Sequence, residues 1–147
     1  MLFGVIGGDR RQAELLKLLR QDGYQAAAYG TAGETDWERA VSAEVVLLPL
    51  PLCREGDTIN IEGEQRGIGA LLRQMRRNQL LLAGQVKPAQ AAEAAELDLN
   101  LIDYFKREEL TVANAAATAE GTVQVILERL ERSLLGSRCL VLGFGRI

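Results

Sequence analysis

Apolar residues come along this chain in short runs separated by segments of helical spacing, and that alternation is the main guide to its fold. Leu2-Phe3-Gly4-Val5-Ile6 is a continuous apolar run, which suits a strand covered on both faces better than a half-exposed one. Gly7-Gly8 ends it. Asp9 followed three residues later by Gln12 has the spacing of a capping box, and Ala13, Leu15, Leu16 and Leu19 then gather on one side of a helix that Gly23 stops. Tyr24–Tyr29 reads as a second strand because it lies between two turns, although alanine is weak strand material. Thr31–Ala43 is polar, with a helical turn or two around Trp37. Glu44–Leu48 is the third strand, closed by Pro49, since proline cannot continue a central ladder.

Beyond Pro51 the pattern breaks. Thr58-Ile59-Asn60-Ile61 alternates and Glu62-Gly63-Glu64 looks like a turn, so a small hairpin inserted after the third strand is expected. Ile68, Leu71, Leu72 and Met75 then fall at i, i+3, i+4 and i+7, a helix whose other face carries Arg73, Arg76 and Arg77 to solvent. Leu80–Ala83 is a fourth strand, Pro88–Glu96 a helix with proline in its first turn, and Leu97–Ile102 a fifth strand suited to an edge. Asp103–Leu110 reads as a short helix or turn. The longest helix is expected from Thr118 to Leu135, with Val123, Ile126, Leu127, Leu130 and Leu134 as its apolar stripe, an i, i+4 pair at Glu128 and Arg132, and Gly136 as its stop. Cys139–Leu142 is a last short strand.

Strands alternating with helices imply an α/β fold: an open, mostly parallel five-stranded sheet with helices on both faces, flavodoxin-like or Rossmann-like. The expected division is residues 1–112 as an α/β domain, 113–136 as a connector helix, and 137–147 as the first strand and glycine turn of a second domain. Gly143-Phe144-Gly145 after a strand is how a dinucleotide-binding βαβ unit opens, but the third glycine, the helix and the distal acid of that fingerprint are absent. A lone GxG is more often a plain turn. Its place behind a connector helix makes it read instead as the threshold of a cofactor domain, with Gly143, Gly145 and Arg146 as partial cofactor contacts.

Composition removes several functions. The chain has no histidine and only two cysteines, Cys53 and Cys139, far apart, which excludes Ser-His-Asp and Cys-His catalysis and argues against a zinc or haem site; no metal ligands are expected. A net charge of −3 argues against nucleic acid as the main partner. The opening apolar run is too short for a signal segment and no window suits a membrane span, so a cytoplasmic setting is expected. Gly7-Gly8 and Pro49 stand where a phospho-receiver would carry acids, a cobalamin domain would need a histidine, and no P-loop occurs.

In an open parallel sheet, ligands bind beyond the carboxyl ends of the strands. Candidate loops are Gly7–Arg11, Pro49–Asp57, Gly84–Lys87 and Val112–Gly121. In the first, Gly7, Gly8 and Asp9 begin a helix whose amides, with Arg10 and Arg11, could hold a carboxylate or phosphate; the plainer alternative is a tight turn with solvated arginines. Pro49 and Gly84 border the next loops. Asn114 and Thr118 are candidate polar substrate contacts and Glu120 a candidate proton carrier, while the plain reading makes them helix caps and a dipole partner.

Val5-Ile-Gly-Gly-Asp-Arg-Arg-Gln12, Asp103-Tyr-Phe-Lys-Arg-Glu-Glu109, Asn114-Ala-Ala-Ala-Thr-Ala-Glu-Gly-Thr122 and the Gly136–Arg146 stretch together resemble the N-terminal part of the A subunit of dipicolinate synthase. Cys53–Arg66 resembles it least. The resemblance implies a longer chain in which a small α/β domain precedes an NAD(P)-binding Rossmann domain, acting with a flavoprotein-like B subunit to make dipicolinate in sporulating bacteria. It implies a small dicarboxylate substrate, held by Arg10, Arg11 and the helix-start amides, and NAD or NADP as cofactor. This chain would be the substrate-side part, with no complete cofactor site and inactive alone. A different class of function stays open: a non-catalytic α/β module that binds a small anion or mediates assembly. An apolar stripe on the long helix without a second domain against it predicts self-association into a homo-oligomer.

Overall fold

The computed structural model describes residues 1–143 and 145 and divides into two compact units, Met1–Phe105 and Lys106–Ile147. In the first unit a six-stranded sheet is built from β1 (Leu2–Ile6), β2 (Gln25–Thr31), β3 (Glu34–Thr35), β4 (Val45–Leu47), β5 (Leu80–Ala83) and β6 (Asn100–Asp103). The spatial order is β3-β2-β1-β4-β5-β6, and every pairing is parallel except the antiparallel β2–β3 edge. The class is the expected open α/β sheet. It has one strand more than the periodicity predicts, because β3 is two polar residues long and carries no apolar alternation to betray it.

Helices α1 (Arg10–Gln21), α2 (Trp37–Val41), α3 (Ile68–Leu72) and α4 (Pro88–Glu96) join these strands. α1 begins as its sequence dictates: the Asp9 side chain accepts from the backbone of the first turn while Gln12 reaches back to the Asp9 N–H. Val5 and Ala28 bury against Leu16 of α1 on one sheet face. On the other, Ile6, Val46 and Leu81 pack with Ile68, Leu71 and Leu72 of α3 and Ala94 of α4 in the main core. Gln79 is buried, yet its amide donates to the Val41 and Ala43 carbonyls at 2.7 and 2.5 Å and its oxygen accepts from Arg76 N at 2.6 Å, so burial leaves nothing unpaired.

Several expectations need correction. The segment Thr58–Ile61 makes two isolated antiparallel bridges, Cys53 with Ile59 and Thr58 with Gly67, rather than a paired hairpin. Arg73, Arg76 and Arg77 are not simply solvated: they reach Glu93 at 3.0 Å, the Ser42 carbonyl at 2.6 Å and Asp98 at 3.4 Å.

In the second unit, helix α5 spans Glu108–Arg129, ten residues earlier at its start than the apolar stripe predicts. Asn114 and Thr118 therefore sit inside the helix, not at its cap, and Glu120 is mid-helix rather than at the positive end of the dipole. The Thr118 hydroxyl donates to the Asn114 carbonyl at 2.8 Å, the back-bonding an interior threonine uses to satisfy itself. α5 ends at Leu130, well before Gly136, so Arg132 lies outside it and Glu128 accepts instead from Gln124 at 2.8 Å. Cys139–Leu142 forms no strand. A strand exists only through its ladder, and among the described residues nothing pairs with this one. No helix among the described residues is long and apolar enough to cross a membrane.

Candidate functional site at the carboxyl edge of the sheet

The strand order reverses between β1 and β4, the switch point beyond which open α/β sheets take ligands. Gly7, Gly8, Asp9, Arg10, Arg11, Pro49 and Gly84 all lie at this carboxyl edge. Gly7 and Gly8 turn the chain from β1 into α1 with φ of 62° and 87°, a region that favours glycine. Their amides are already engaged: Gly7 N donates to the Tyr29 carbonyl at 2.8 Å and Gly8 N to the Asn60 carbonyl at 2.7 Å. Neither of these two amides is open to an anion.

Asn60 belongs to a strap, residues 52–67, that crosses the ends of β1 and β2. Ile61 packs so closely over Gly7 and Gly30 that a Cβ on either would lie 2.7 or 2.5 Å from it. The strap is fastened at its far end by Arg66, whose guanidinium stacks 3.9 Å from the Trp37 ring centre and pairs with Glu64 at 3.3 Å. Tyr29 meets Trp37 edge to face at 5.0 Å, and its hydroxyl donates to Glu64, which raises the phenol pKa. The strap thus covers the ends of β1 and β2 with the protein's own residues. Asn60 Oδ1 is buried without a hydrogen-bond partner among the described residues, while its Nδ2 donates to the Pro51 carbonyl at 3.4 Å.

The two adjacent arginines diverge. Arg11 closes a fork on Asp9, with Nη2 to Oδ2 at 2.8 Å and Nε to Oδ1 at 3.0 Å, and donates to the Leu50 carbonyl at 2.6 Å. This pairing holds the Asp9 carboxyl below, and the Arg11 guanidinium above, their ordinary values. Arg10 instead borders an open groove of about 720 Å³ along α1, with Ala13, Lys17, Arg20 and Ala32. Lys17 is paired with Glu14 and Arg20 with Glu34. Among the described residues Arg10 has no ion pair.

The loop that Arg11 grips is also tied from the sheet. Gly84 N donates to the Pro49 carbonyl at 3.1 Å, and Leu52 N donates to the Gly84 carbonyl at 2.8 Å. Tyr104 donates to the Leu48 carbonyl at 3.4 Å, and burial pushes its phenol up. Asp103 receives the amides of Gln85 and Val86, each at 3.1 Å, so this carboxylate is a loop brace. Arg54, which no sequence motif singles out, is exposed, has no ion pair among the described residues, and lies close enough to Asp9 for its charge to help lower that carboxyl. Its only signal was an arginine inside a loop already marked as a candidate.

The other predicted residues lie in the second unit. Asn114, Thr118 and Glu120 are exposed on α5. Gly143 has φ of 122° and Gly145 lies in a bend, while Arg146 is outside the described residues. Among the described residues no strand precedes these glycines, and the Gly7 and Gly8 amides are occupied. The described residues therefore do not form a dinucleotide cradle. Nor do they hold three His, Cys, Asp or Glu groups placed for a metal.

A family model for the N-terminal domain of the A subunit of dipicolinate synthase matches residues 2–105, the span of the first unit. The chain belongs to this family. A relative from Bacillus subtilis (strain 168), the A subunit of its dipicolinate synthase, is 23% identical over 161 residues, covering 98% of this chain and 53% of the relative. Two solved structures carry the same fold. The dipicolinate synthase A chain from Bacillus subtilis superposes with a TM-score of 0.68 at 18% identity, over 90% of this chain and 49% of that one. The corresponding A subunit from Bacillus halodurans gives 0.75 at 20% identity, over 99% and 54%. The chain spans about half the length of these dipicolinate synthase relatives.

Proposed function

We propose that this chain is the substrate-side part of an A-type subunit of dipicolinate synthase, and that the carboxyl edge of its sheet binds a small dicarboxylate of the dihydrodipicolinate pathway. The observation that carries the reading is the arrangement around Asp9, in a chain that belongs to this family. Arg11 is spent bracing the Asp9 turn to the Leu50 loop, which leaves Arg10 and Arg54 as the cations able to meet carboxylates. Asp9 and Arg11 position, Arg10 and Arg54 read charge, and Pro49 and Gly84 shape the wall. Asn114 and Thr118 are the proposed polar contacts and Glu120 the proposed proton carrier, all three exposed residues of α5.

On this reading the oxidation to dipicolinate, in sporulating cells and with a flavoprotein-like B subunit, needs NAD or NADP held by the further length its relatives have. No step through that cofactor falls to the described residues. Gly143, Gly145 and Arg146 would contribute only the start of such a site. Two measurements test the reading. Melting temperature is followed while the 147-residue protein is titrated with dipicolinate and with monocarboxylate controls. Saturable stabilisation by the dicarboxylate that Arg10→Ala removes supports it, and flat melts overturn the substrate assignment. A chain carrying its relatives' full length is then titrated with NAD and NADP; binding of neither overturns the cofactor assignment.

A further inference from the structure

Tyr104 follows directly after β6, the edge strand of the sheet, yet its hydroxyl meets the Leu48 carbonyl just past β4. β5 lies between those two strands and runs parallel to both. The phenol therefore reaches across the carboxyl end of β5 toward the switch point. It arrives beside the Arg11 anchor. Arg11 takes the Leu50 carbonyl two residues along the same loop, and Arg11, Asp9 and Asp103 all lie close enough for their charge to act on the phenol. Three connections thus meet at one place: the β1–α1 turn with Asp9 and Arg11, the loop after β4 with Leu48 and Leu50, and the turn after β6 with Tyr104. All belong to the first compact unit. Side chains drawn from several loops at this edge are how open α/β sheets assemble a binding site.

The fastening of the loop is uneven. Arg11 donates to the Leu50 carbonyl at 2.6 Å and Gly84 N to that of Pro49 at 3.1 Å, whereas the Tyr104 bond is 3.4 Å long. An O–H···O bond ordinarily closes to about 3.0 Å or less. The proton of this half-buried phenol is therefore loosely committed, and turning it to a better acceptor sacrifices little at Leu48. A carboxylate oxygen is such an acceptor, because a charged partner makes the stronger and shorter bond. Burial favours the neutral phenol, so at neutral pH the group is a donor and not a base.

We propose that Tyr104 is a substrate-binding residue of this edge, its hydroxyl donating to one carboxylate of a dicarboxylate whose other carboxylate Arg10 and Arg54 meet. The inference rests on the carboxylate-binding reading of the edge. It adds the side chain that makes a dicarboxylate a better ligand than a monocarboxylate.

Isothermal titration of the 147-residue protein and of Tyr104→Phe with dipicolinate and with pyridine-2-carboxylate reads the contact. Wild type is expected to prefer the dicarboxylate. Tyr104→Phe should weaken dipicolinate binding about ten-fold or more, the range of a hydrogen bond to a charged group, and leave the denaturation midpoint of the free protein unchanged. Pyridine-2-carboxylate lacks the second carboxylate and should lose far less, so the preference collapses. A hydroxyl that only braced Leu48 would instead weaken both ligands alike and lower the midpoint. Equal dipicolinate affinity in wild type and Tyr104→Phe, or equal losses for the two ligands, overturns the role of Tyr104 and leaves the carboxylate site standing. Binding of neither ligand by wild type overturns the site itself, and the role of Tyr104 with it.

Discussion

Arg11 donates to the Leu50 carbonyl at 2.6 Å while its other face closes on Asp9, so one side chain joins the first turn of α1 to the loop after β4 across the switch point of the sheet. Removing the Asp9 carboxylate takes away a helix cap and frees Arg11 together. Asp9→Ala is expected to cost about 1 kcal/mol from the cap, the usual range for such residues, and somewhat more from the released loop. Chemical denaturation measures the sum, and Arg11→Ala should recover only the loop part.

The same pair sets an acid dependence. Asp9 is held below its ordinary 3.8 by the hydrogen bond from Arg11, and Glu34 below its ordinary 4.5 by the one from Arg20. A carboxyl with a lowered folded pKa binds fewer protons folded than unfolded. Its contribution is therefore complete above the ordinary value and is lost as the pH falls through the folded one. Both pairs touch solvent, which keeps the effect small. Stability measured against pH should be flat down to 4.5 on account of these groups and fall below it, with a shallower fall in Asp9→Asn and Glu34→Gln.

Gly7 and Gly30 lie under Ile61, but for different reasons. A Cβ on Gly30 meets only the Ile61 side chain closely, whereas one on Gly7 also meets the Asn60 carbonyl at 2.6 Å. Each alanine substitution is expected to cost more than about 1 kcal/mol, because φ is positive at both. Adding Ile61→Ala should recover part of the loss at Gly30 and much less at Gly7. A double-mutant cycle reads the difference; equal coupling at the two sites would contradict this packing.

Arg66 fastens the strap through the only tryptophan of the chain. Arg66→Ala should change Trp37 fluorescence and cost about 1 kcal/mol, in line with a stacked, partly exposed cation. Arg66→Lys should restore little, since an ammonium lacks the flat face that lies on the indole. Hydrogen exchange should rise across residues 58–67 and leave the amides of α4 unchanged.

The two thiols should differ sharply in reactivity. Cys53 is buried, burial raises its pKa, and Gln90 donates to its sulfur at 3.3 Å, while Cys139 is exposed. An aromatic disulfide reagent at neutral pH is expected to label one thiol rapidly and the other only on unfolding, with the fast phase absent in Cys139→Ser.

Much of the first unit is legible in the chain because its signals are local. The Asp9–Gln12 box, the apolar runs of β1, β4 and β5 and the proline opening α4 each act over a few residues. β3 escaped because Glu34–Thr35 is defined by pairing with β2 and not by pattern. The true start of α5 is hidden because Arg107 offers no side-chain cap, while Asn114 and Thr118 look like caps although the helix absorbs the Thr118 hydroxyl. The site was legible as a place and not as a geometry. Nothing local says that Asn60 would take the Gly8 amide, that Arg66 would lie on Trp37, or that Arg10 and Arg11 would part. Those relations span tens of residues, and only the folded sheet brings them together.

Whether the carboxyl edge of this sheet takes a small dicarboxylate is read most directly by titrating isotope-labelled protein with dipicolinate and following the backbone amides. The expected result is saturable shifts at residues 8–11 and 50–54, abolished in Arg10→Ala and weakened in Arg54→Ala. An absence of saturable shifts, or shifts lying elsewhere and indifferent to both substitutions, would contradict it.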